Sequence, residues 1–449
     1  MKSNSVSPAR LTAFEILRRV AEGSYASVLL ASRAEELAPL DRALCHELVM
    51  GVLRRQLWLD RLIELYANRK VASLDESVRI VLRLGLYQLR FLSRVPASAA
   101  VNDSVNLIHF ARLRSAASFV NAVLRRATRE PEVDPTSNVQ DSLERLSVAT
   151  SHPVWLLERW REAFGIAEAE AFARANNEPA PIAFRVVKSR AGEAPVLEGL
   201  RAAGAELAPS KVAAGAWRIS FAGNSLNELA TAGKVYVQDE ASQLVALLLD
   251  VQPGRHVLDL CAGPGSKTTQ IADLARDSAL IVASDLYEHR LRTVNSSAQL
   301  QGLGSIHCLA LDGLQALPFF DAAFDRVLVD APCSGTGTLR RNPEIRWRIS
   351  PADIEDLAAR QKQLLKNAAR VVKPGGWLVY STCSVEPDEN EDVVQEFLEN
   401  SESFRVVNPG LDGGMQTSLG AVRTWPQREG TDGFFVCVFE RKGPQLSSN

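Results

Sequence analysis

From about Val237 onward, this 449-residue chain alternates short, continuously apolar runs with helix-length stretches, and no other feature restricts the fold as much. The runs are "HVLDL", "ALIVASD", "SIHCLALD", "DRVLVDAP" and "WLVYST"; among them lie "SKTTQIADLAR", "HRLRTVNSSAQLQ" and "DIEDLAARQKQLLKNAARVV". A strand apolar along its whole length must be covered on both faces, and intervening helices supply the cover. The pattern therefore predicts a parallel sheet of the Rossmann-like α/β class, with "DGFFVCVFER" as a last strand joining it. In such sheets ligands bind outside the carboxyl ends of the strands.

Four successive strand ends carry an acid: Asp259, Asp285, Asp312 and Asp330. The first is followed by "CAGPGSKT", a small-residue turn opening a helix, where backbone N–H groups can approach a ligand closely. A Walker A loop would need glycine directly before Lys267, but Ser266 intervenes; a dinucleotide fingerprint would need glycine where Thr268 stands. What remains is a nucleoside without phosphates, and S-adenosylmethionine is one. Asp285 would accept its ribose hydroxyls, Asp312 would face its adenine amino group, and Asp330 with the 262–267 turn would hold the methionine part. Acids at strand ends also cap turns, but four in register favour a ligand.

Six cysteines are scattered singly, with no CxxC pair and no histidine at ligand spacing, so neither a disulfide framework nor a metal site is expected. Cys45, Cys308 and Cys437 fall inside apolar patterns and read as core filling, and Cys261 in the glycine-rich turn reads as packing. Cys333 in "DAPCSGTG" and Cys383 in "YSTCS" follow two strands and emerge on the ligand side. Two thiols beside a methyl donor suggest covalent activation of a pyrimidine: thiolate addition at carbon 6 of cytosine makes carbon 5 nucleophilic. Lys267 or the sulfonium would favour the thiolate, and Asp330 would hydrogen-bond to N3. Which thiol adds is left open by this reasoning.

Upstream, apolar residues recur at helical spacing from Leu11 to about Ala127, for example Leu44, Leu48, Val52, Leu59, Leu62 and Ile63, with Arg54, Arg55 and Arg61 largely off that stripe. Residues 1–130 read as a helical domain, 131–145 as a linker, 146–235 as a small α+β module, and 236–449 as the α/β domain. The first 130 residues hold 20 lysines and arginines against 12 acids, within a chain of net charge -2, which suits a polyanionic partner. "LRRNPEIRWRIS" (339–350) interleaves arginines with Trp347, so Arg340, Arg341, Arg346 and Trp347 are expected at an RNA strand with one nucleotide extruded. No run is long and apolar enough to span a bilayer, and Glu15 and Glu22 argue against a transit peptide, so a cytoplasmic protein is expected.

The strings "VQDEAS", "DLCAGPGSKT", "DAPCSGTGTLRRNPEIRW", "STCSVEPDENE" and "DGFFVC" resemble the RNA cytosine-5 methyltransferase family, in its small-subunit ribosomal RNA branch. The helical segment resembles the NusB-type RNA-binding domain of that branch, and the small module is expected to be RRM-like. The resemblance implies that Cys383 is the nucleophile and that Cys333 assists release; Lys267 and Asp330, from the reading of the residues above, complete the expected catalytic set. It implies cofactor contacts from Cys261, Ala262, Gly263, Pro264, Gly265, Ser266 and Lys267, and from Asp285, Asp312 and Asp330; Asp259 and Arg290 complete the expected cofactor set. Its partner would be small-subunit ribosomal RNA. Where the family often has histidine, this chain has Glu429, so that histidine's role does not transfer. The rival expectation is a catalytically inactive RNA-binding assembly or antitermination factor on the same fold; the intact cysteines and acids argue against it.

Overall fold

The computed structural model describes residues 6–221, 223–411 and 414–443. The first five residues of the expected helical domain and the last six of the expected α/β domain lie outside the described residues. The chain divides into two compact units, one running to Pro179 and taking in Leu339–Arg348, the other formed by Ala180–Thr338 and the chain from Ile349 onward.

The first unit is helical: α1 (Pro8–Ala21), α2 (Ala26–Arg33), α3 (Pro39–Arg54), α4 (Gln56–Ala67), α5 (Glu76–Phe91), α6 (Ala97–Phe110), α7 (Ala117–Arg129), α8 (Ser142–Thr150), α9 (Val154–Phe164) and α10 (Ile166–Ala175). Its core takes the expected stripe, with Leu48, Val52, Leu59, Leu62 and Ile63 all buried. The Asp75 side chain caps α5 by accepting from Ser77 N–H at 2.8 Å. Two glycines let helices approach: a Cβ on Gly85 would lie 2.7 Å from Leu124, and one on Gly51 2.0 Å from the Tyr87 ring. Helices α8 to α10, which span the end of the expected linker and the start of the expected α+β module, cluster within this unit, and Trp58 N–H donates to Ser151 Oγ at 3.0 Å.

The second unit begins with β1 (Ile182–Val186), α11 (Glu193–Ala202), β2 (Glu206–Pro209), β3 (Ala216–Ser220), α12 (Ser225–Thr231) and β4 (Val235–Val237). These strands form an antiparallel sheet in the order β2-β3-β1-β4. Phe184, Val186 and Ile219 pack against α11 on one face. The alternate positions point the other way, and they are occupied: buried Arg185 donates to Thr269 Oγ1 at 3.0 Å and Gln301 Oε1 at 3.1 Å, while Arg218 pairs with buried Glu240 at 2.5 Å. Asp273 accepts from the Lys188 and Ser189 N–H groups. This face is spent on the neighbouring α/β layer, a use the RRM-like expectation did not include.

The α/β layer contains α13 (Glu240–Leu248), β5 (His256–Asp259), α14 (Ser266–Leu274), β6 (Leu280–Asp285), α15 (Glu288–Gln301), β7 (Ile306–Ala310), β8 (Phe324–Asp330), α16 (Ile345–Arg348, which belongs to the first unit), α17 (Pro351–Val371), β9 (Val372–Thr382), α18 (Glu391–Glu399), β10 (Phe404–Val406), β11 (Val422–Thr424) and β12 (Phe434–Arg441). The sheet order is β10-β12-β9-β8-β5-β6-β7, with β11 beside β12. Strands β7, β6, β5, β8 and β9 are parallel, and β12 runs antiparallel to β9. One face buries Leu244, Ile271 and Ala272; the other buries Leu364, Leu365 and Val393. Strand order reverses between β5 and β8, so Asp259 and Asp330 flank the crevice where such sheets bind ligands. Cys308, expected in the core, is exposed, because β7 is the sheet's edge strand.

Candidate active site

The turns after β8 and β9 carry the two thiols, with Cys333 Sγ 3.2 Å from Cys383 Sγ. Three contacts hold the turns together: Ala331 N–H donates to Ser381 O (2.9 Å), Gly337 N–H to Cys383 O (2.9 Å), and Gly433 N–H to Gly337 O (2.8 Å). A Cβ on Gly337 would lie 2.0 Å from Gly433 O, so the "DAPCSGTG", "STCS" and "DGFF" strings meet where only glycine fits. At the end of β8, Asp330 accepts from Lys267 Nζ at 2.7 Å and from Ser381 Oγ at 2.8 Å. Burial works against the Lys267 ammonium, but Asp330's charge and hydrogen bond hold it above its ordinary value. The Cys333 thiol is pushed far up, first by its hydrogen bond with Cys383, then by burial, then by the charges of Cys383 and Glu389.

Around the glycine-rich turn, Asp285 is buried at the end of β6 and accepts from Gly263 N–H (3.1 Å), Tyr287 N–H (3.0 Å) and Arg290 (3.0 Å). Arg290 also donates to Gly263 O at 2.6 Å. Asp312 accepts from Leu314 N–H at 3.0 Å and Gln315 Nε2 at 3.3 Å, beyond β7. Asp259 Oδ2 accepts from Thr268 Oγ1 at 2.7 Å, while its buried Oδ1 has no partner. Burial pushes Asp259 up to about 7, against the Thr268 hydrogen bond. The Cys261 thiol is raised by burial and by Asp259, Asp330 and Asp285. Ala262, Gly263, Pro264, Gly265 and Ser266 complete the turn, with Gly265 at φ +105° opening α14.

These residues fit an adenosyl sulfonium better than a phosphate ligand. The two cations at the turn, Lys267 and Arg290, are each committed to a carboxylate, whereas Asp259 Oδ1 lacks a donor and Asp285 retains acceptor capacity on Oδ1, as a carboxylate has about four lone-pair sites. Among the described residues no cluster of metal-ligating side chains occurs, and no helix is long and apolar enough to cross a membrane.

The expected RNA-contact stretch is corrected in part. Arg346 is fully buried, and its guanidinium donates to Ser151 O (3.0 Å), Thr150 O (3.3 Å) and Asn176 O (3.5 Å). It satisfies the orphaned carbonyls at the ends of α8 and α10 and cannot reach a phosphate. Burial pushes it down to about 9. Arg340 is also buried and donates to Pro179 O at 3.3 Å, while its own carbonyl accepts from buried Arg54 at 2.8 Å. Arg54, expected off the apolar stripe, therefore faces inward. Arg341 and Trp347 are half-buried, and the Trp347 Nε1 atom is sealed from solvent.

Sequence reasoning missed the support beneath the thiols. Glu389, fully buried, accepts from Ser334 N–H (2.9 Å), Ser334 Oγ (2.5 Å), Ser384 Oγ (2.5 Å) and Gln361 Nε2 (2.9 Å). Only its place in "STCSVEPDENE" marked it out. Glu429 closes a local turn by accepting from Trp425 N–H at 2.7 Å, and its carbonyl accepts from Arg218 at 2.7 Å.

Three family models match the chain: NusB family over residues 7–129, the Methyltr_RsmF/B-like, ferredoxin-like domain over 152–224, and 16S rRNA methyltransferase RsmB/F over 246–440. A Bacillus subtilis protein named "Probable ribosomal RNA small subunit methyltransferase B" is 34% identical, the match covering 99% of this chain and 100% of that protein. A Synechocystis protein of the same name is 38% identical over 96% of this chain and 99% of its own length. The crystal structure of PH0851 superposes with a TM-score of 0.83 at 28% identity, covering 97% of this chain and 99% of that one. The chain belongs to the RsmB/F family of 16S rRNA methyltransferases, enzymes dependent on S-adenosylmethionine.

Proposed function

We propose that the chain methylates carbon 5 of a cytidine in small-subunit ribosomal RNA, through a covalent adduct between Cys383 and carbon 6. The observation that carries this reading is the pair of thiols 3.2 Å apart beside the Lys267–Asp330 ion pair. A methyltransferase acting on a nitrogen or a ribose hydroxyl has no use for two thiols at the ligand end of its sheet. Carbon 5 of cytosine does, because it is a poor nucleophile until carbon 6 carries an added group.

Cys383 adds as a thiolate: its Sγ–carbon 6 bond forms as the carbon 5–carbon 6 π pair moves into the ring, leaving carbon 5 enamine-like. Lys267, held as an ammonium by Asp330, supplies positive field for the thiolate, and N3 of the base, placed beside Asp330, takes a proton from solvent as charge builds there. S-adenosylmethionine, when bound, supplies the electrophilic methyl that carbon 5 takes. The carbon 5 proton then passes to solvent water, its electron pair re-forming the carbon 5–carbon 6 double bond as the Cys383–carbon 6 bond breaks and returns the thiolate, and N3 gives up the proton it took; Cys333, 3.2 Å from the departing sulfur, assists this release. Asp285 would hold the ribose hydroxyls, Asp312 the adenine amino group, and Asp259 and Asp330 with the 261–267 turn the methionine part. Because Asp285 already serves Arg290, ribose binding draws on its remaining Oδ1 capacity.

The test is product identity. The enzyme is incubated with unmodified small-subunit rRNA and S-adenosylmethionine, and the digested nucleosides are resolved by mass spectrometry. The reading expects 5-methylcytidine. A methyl group on any other nucleoside or atom would overturn it.

A further inference from the structure

We propose that Glu389 is the positioning residue that locks the two cysteine turns into one unit and fixes their division of labour, so that Cys333 retains its proton while Cys383 adds. The inference rests on the reading of Cys383 as nucleophile and extends it to a residue outside the thiols and the cofactor turn.

Geometry carries it. Glu389 follows β9 by a few residues, yet its Oε1 accepts from the backbone N–H of Ser334, the residue after Cys333, and its Oε2 accepts from both Ser334 Oγ and Ser384 Oγ, the residue after Cys383. Gln361 on α17 ties the same Oε1 to the turn by donating also to Pro332 O, both at 2.9 Å. One carboxylate thus joins the residues that follow the two thiols, at full burial, where each hydrogen bond is strong and each missing partner costly. Its donors are all neutral, and among the described residues no cation forms an ion pair with it. The negative charge is therefore not cancelled locally, and it raises the Cys333 thiol.

Cys383 has the opposite neighbour. Lys267 feels the charge of Cys383 directly, so a thiolate there is stabilised by an ammonium, while a thiolate on Cys333 would face a carboxylate. Two thiols within contact distance cannot both ionise, and Glu389 adds to the Cys383 hydrogen bond and the burial that already disfavour a thiolate on Cys333.

The test uses the full-length protein and needs no RNA for its first arm. Iodoacetamide alkylation of each cysteine is followed by mass spectrometry from pH 6 to 9, since alkylation tracks thiolate content. In the wild type Cys383 should react at least about tenfold faster than Cys333. Glu389→Gln should shrink that ratio to within about threefold, and Glu389→Asp, which restores the charge, should recover most of it. If Cys383 is not the faster thiol in the wild type, the nucleophile assignment itself fails. If it is faster, but the ratio ignores Glu389→Gln, only the Glu389 inference is overturned. Should Glu389→Gln fail to bind cofactor or to fold, Ser334→Ala removes one bond from the Cys333 turn and leaves the charge. It should keep Cys333 slow yet cut the covalent yield on 5-fluorocytidine rRNA at least about threefold. An unchanged yield would overturn the positioning role.

Discussion

Residues 330–337 and 339–348 are one residue apart in the chain and both rich in residues that look functional, yet they are built for different ends. In the first, polar groups converge on two thiols: Asp330 accepts from Lys267 and Ser381, and Glu389 accepts from Ser334. In the second, guanidinium groups finish secondary structure, Arg346 from a buried position and Arg348 from an exposed one. Arg346 serves the carbonyl ends of α8 and α10, and Arg348 donates to Val20 O at 2.6 Å and Ser24 O at 2.7 Å at the end of α1. Helix C-termini leave up to four carbonyls without partners, and a guanidinium offers five donors. An arginine-rich string beside a catalytic turn is therefore as well suited to joining helix ends as to gripping phosphate.

The contrast can be broken most forcefully at Arg346. Arg346→Ala strands buried carbonyls and opens a cavity, which should cost the helical unit about 3–5 kcal/mol. Thermal and urea melts followed by helical circular dichroism check this; a variant as stable as wild type would mean the guanidinium is not a strut.

On the catalytic side, Asp259 offers a pH test. Burial pushes it up to about 7, so the folded state binds a proton that the unfolded chain releases near pH 4. Its contribution is full below about pH 4 and lost as pH rises to about 7, on the order of 4 kcal/mol in all. Without cofactor, the wild type should lose stability relative to Asp259→Asn as pH rises toward 7, and the gap should then level off. A gap independent of pH contradicts the assignment.

Asp285→Ala should weaken S-adenosylmethionine binding by about 1.5–3 kcal/mol, roughly ten- to a hundredfold, measured by isothermal titration. Unchanged affinity in a folded variant would remove Asp285 from the ribose. The smallest effect is expected at Arg341, which is half-buried. Arg341→Gln should alter the log–log salt slope of RNA binding by less than the ~0.7 that one phosphate contact contributes. A full unit of change would return this stretch to the RNA surface.

The parallel part of the sheet was legible because its strands are built on apolar runs, each ending at or just before an acid or a thiol, so period and punctuation agree. Strands β4, β10 and β11 are three residues each, too short for a pattern to register. The stripe through Leu48, Leu59 and Leu62 was legible for the same reason as the sheet. Arg54, Arg340 and Arg346 were not, because residue type reports charge and reach but not which carbonyls lack donors nearby. Cys308 lay in an apolar run that turned out to be an edge, and edges are a property of the whole sheet. Glu389 was invisible because its partners, Ser334, Gln361 and Ser384, come together only in the fold.

The central claim is that Cys383 adds and Cys333 releases, and the most direct measurement is denaturing gel electrophoresis of the two alanine variants on cytidine-containing small-subunit rRNA. Wild type on 5-fluorocytidine RNA marks the trapped complex. Cys383→Ala should give neither methylation nor a protein–RNA band, because carbon 6 is never attacked. Cys333→Ala should accumulate a band carrying methylated RNA, because addition proceeds and elimination stalls. Normal turnover in Cys333→Ala would reduce that thiol to packing, and an adduct that accumulates in Cys383→Ala but not in Cys333→Ala would contradict the account by making Cys333 the nucleophile.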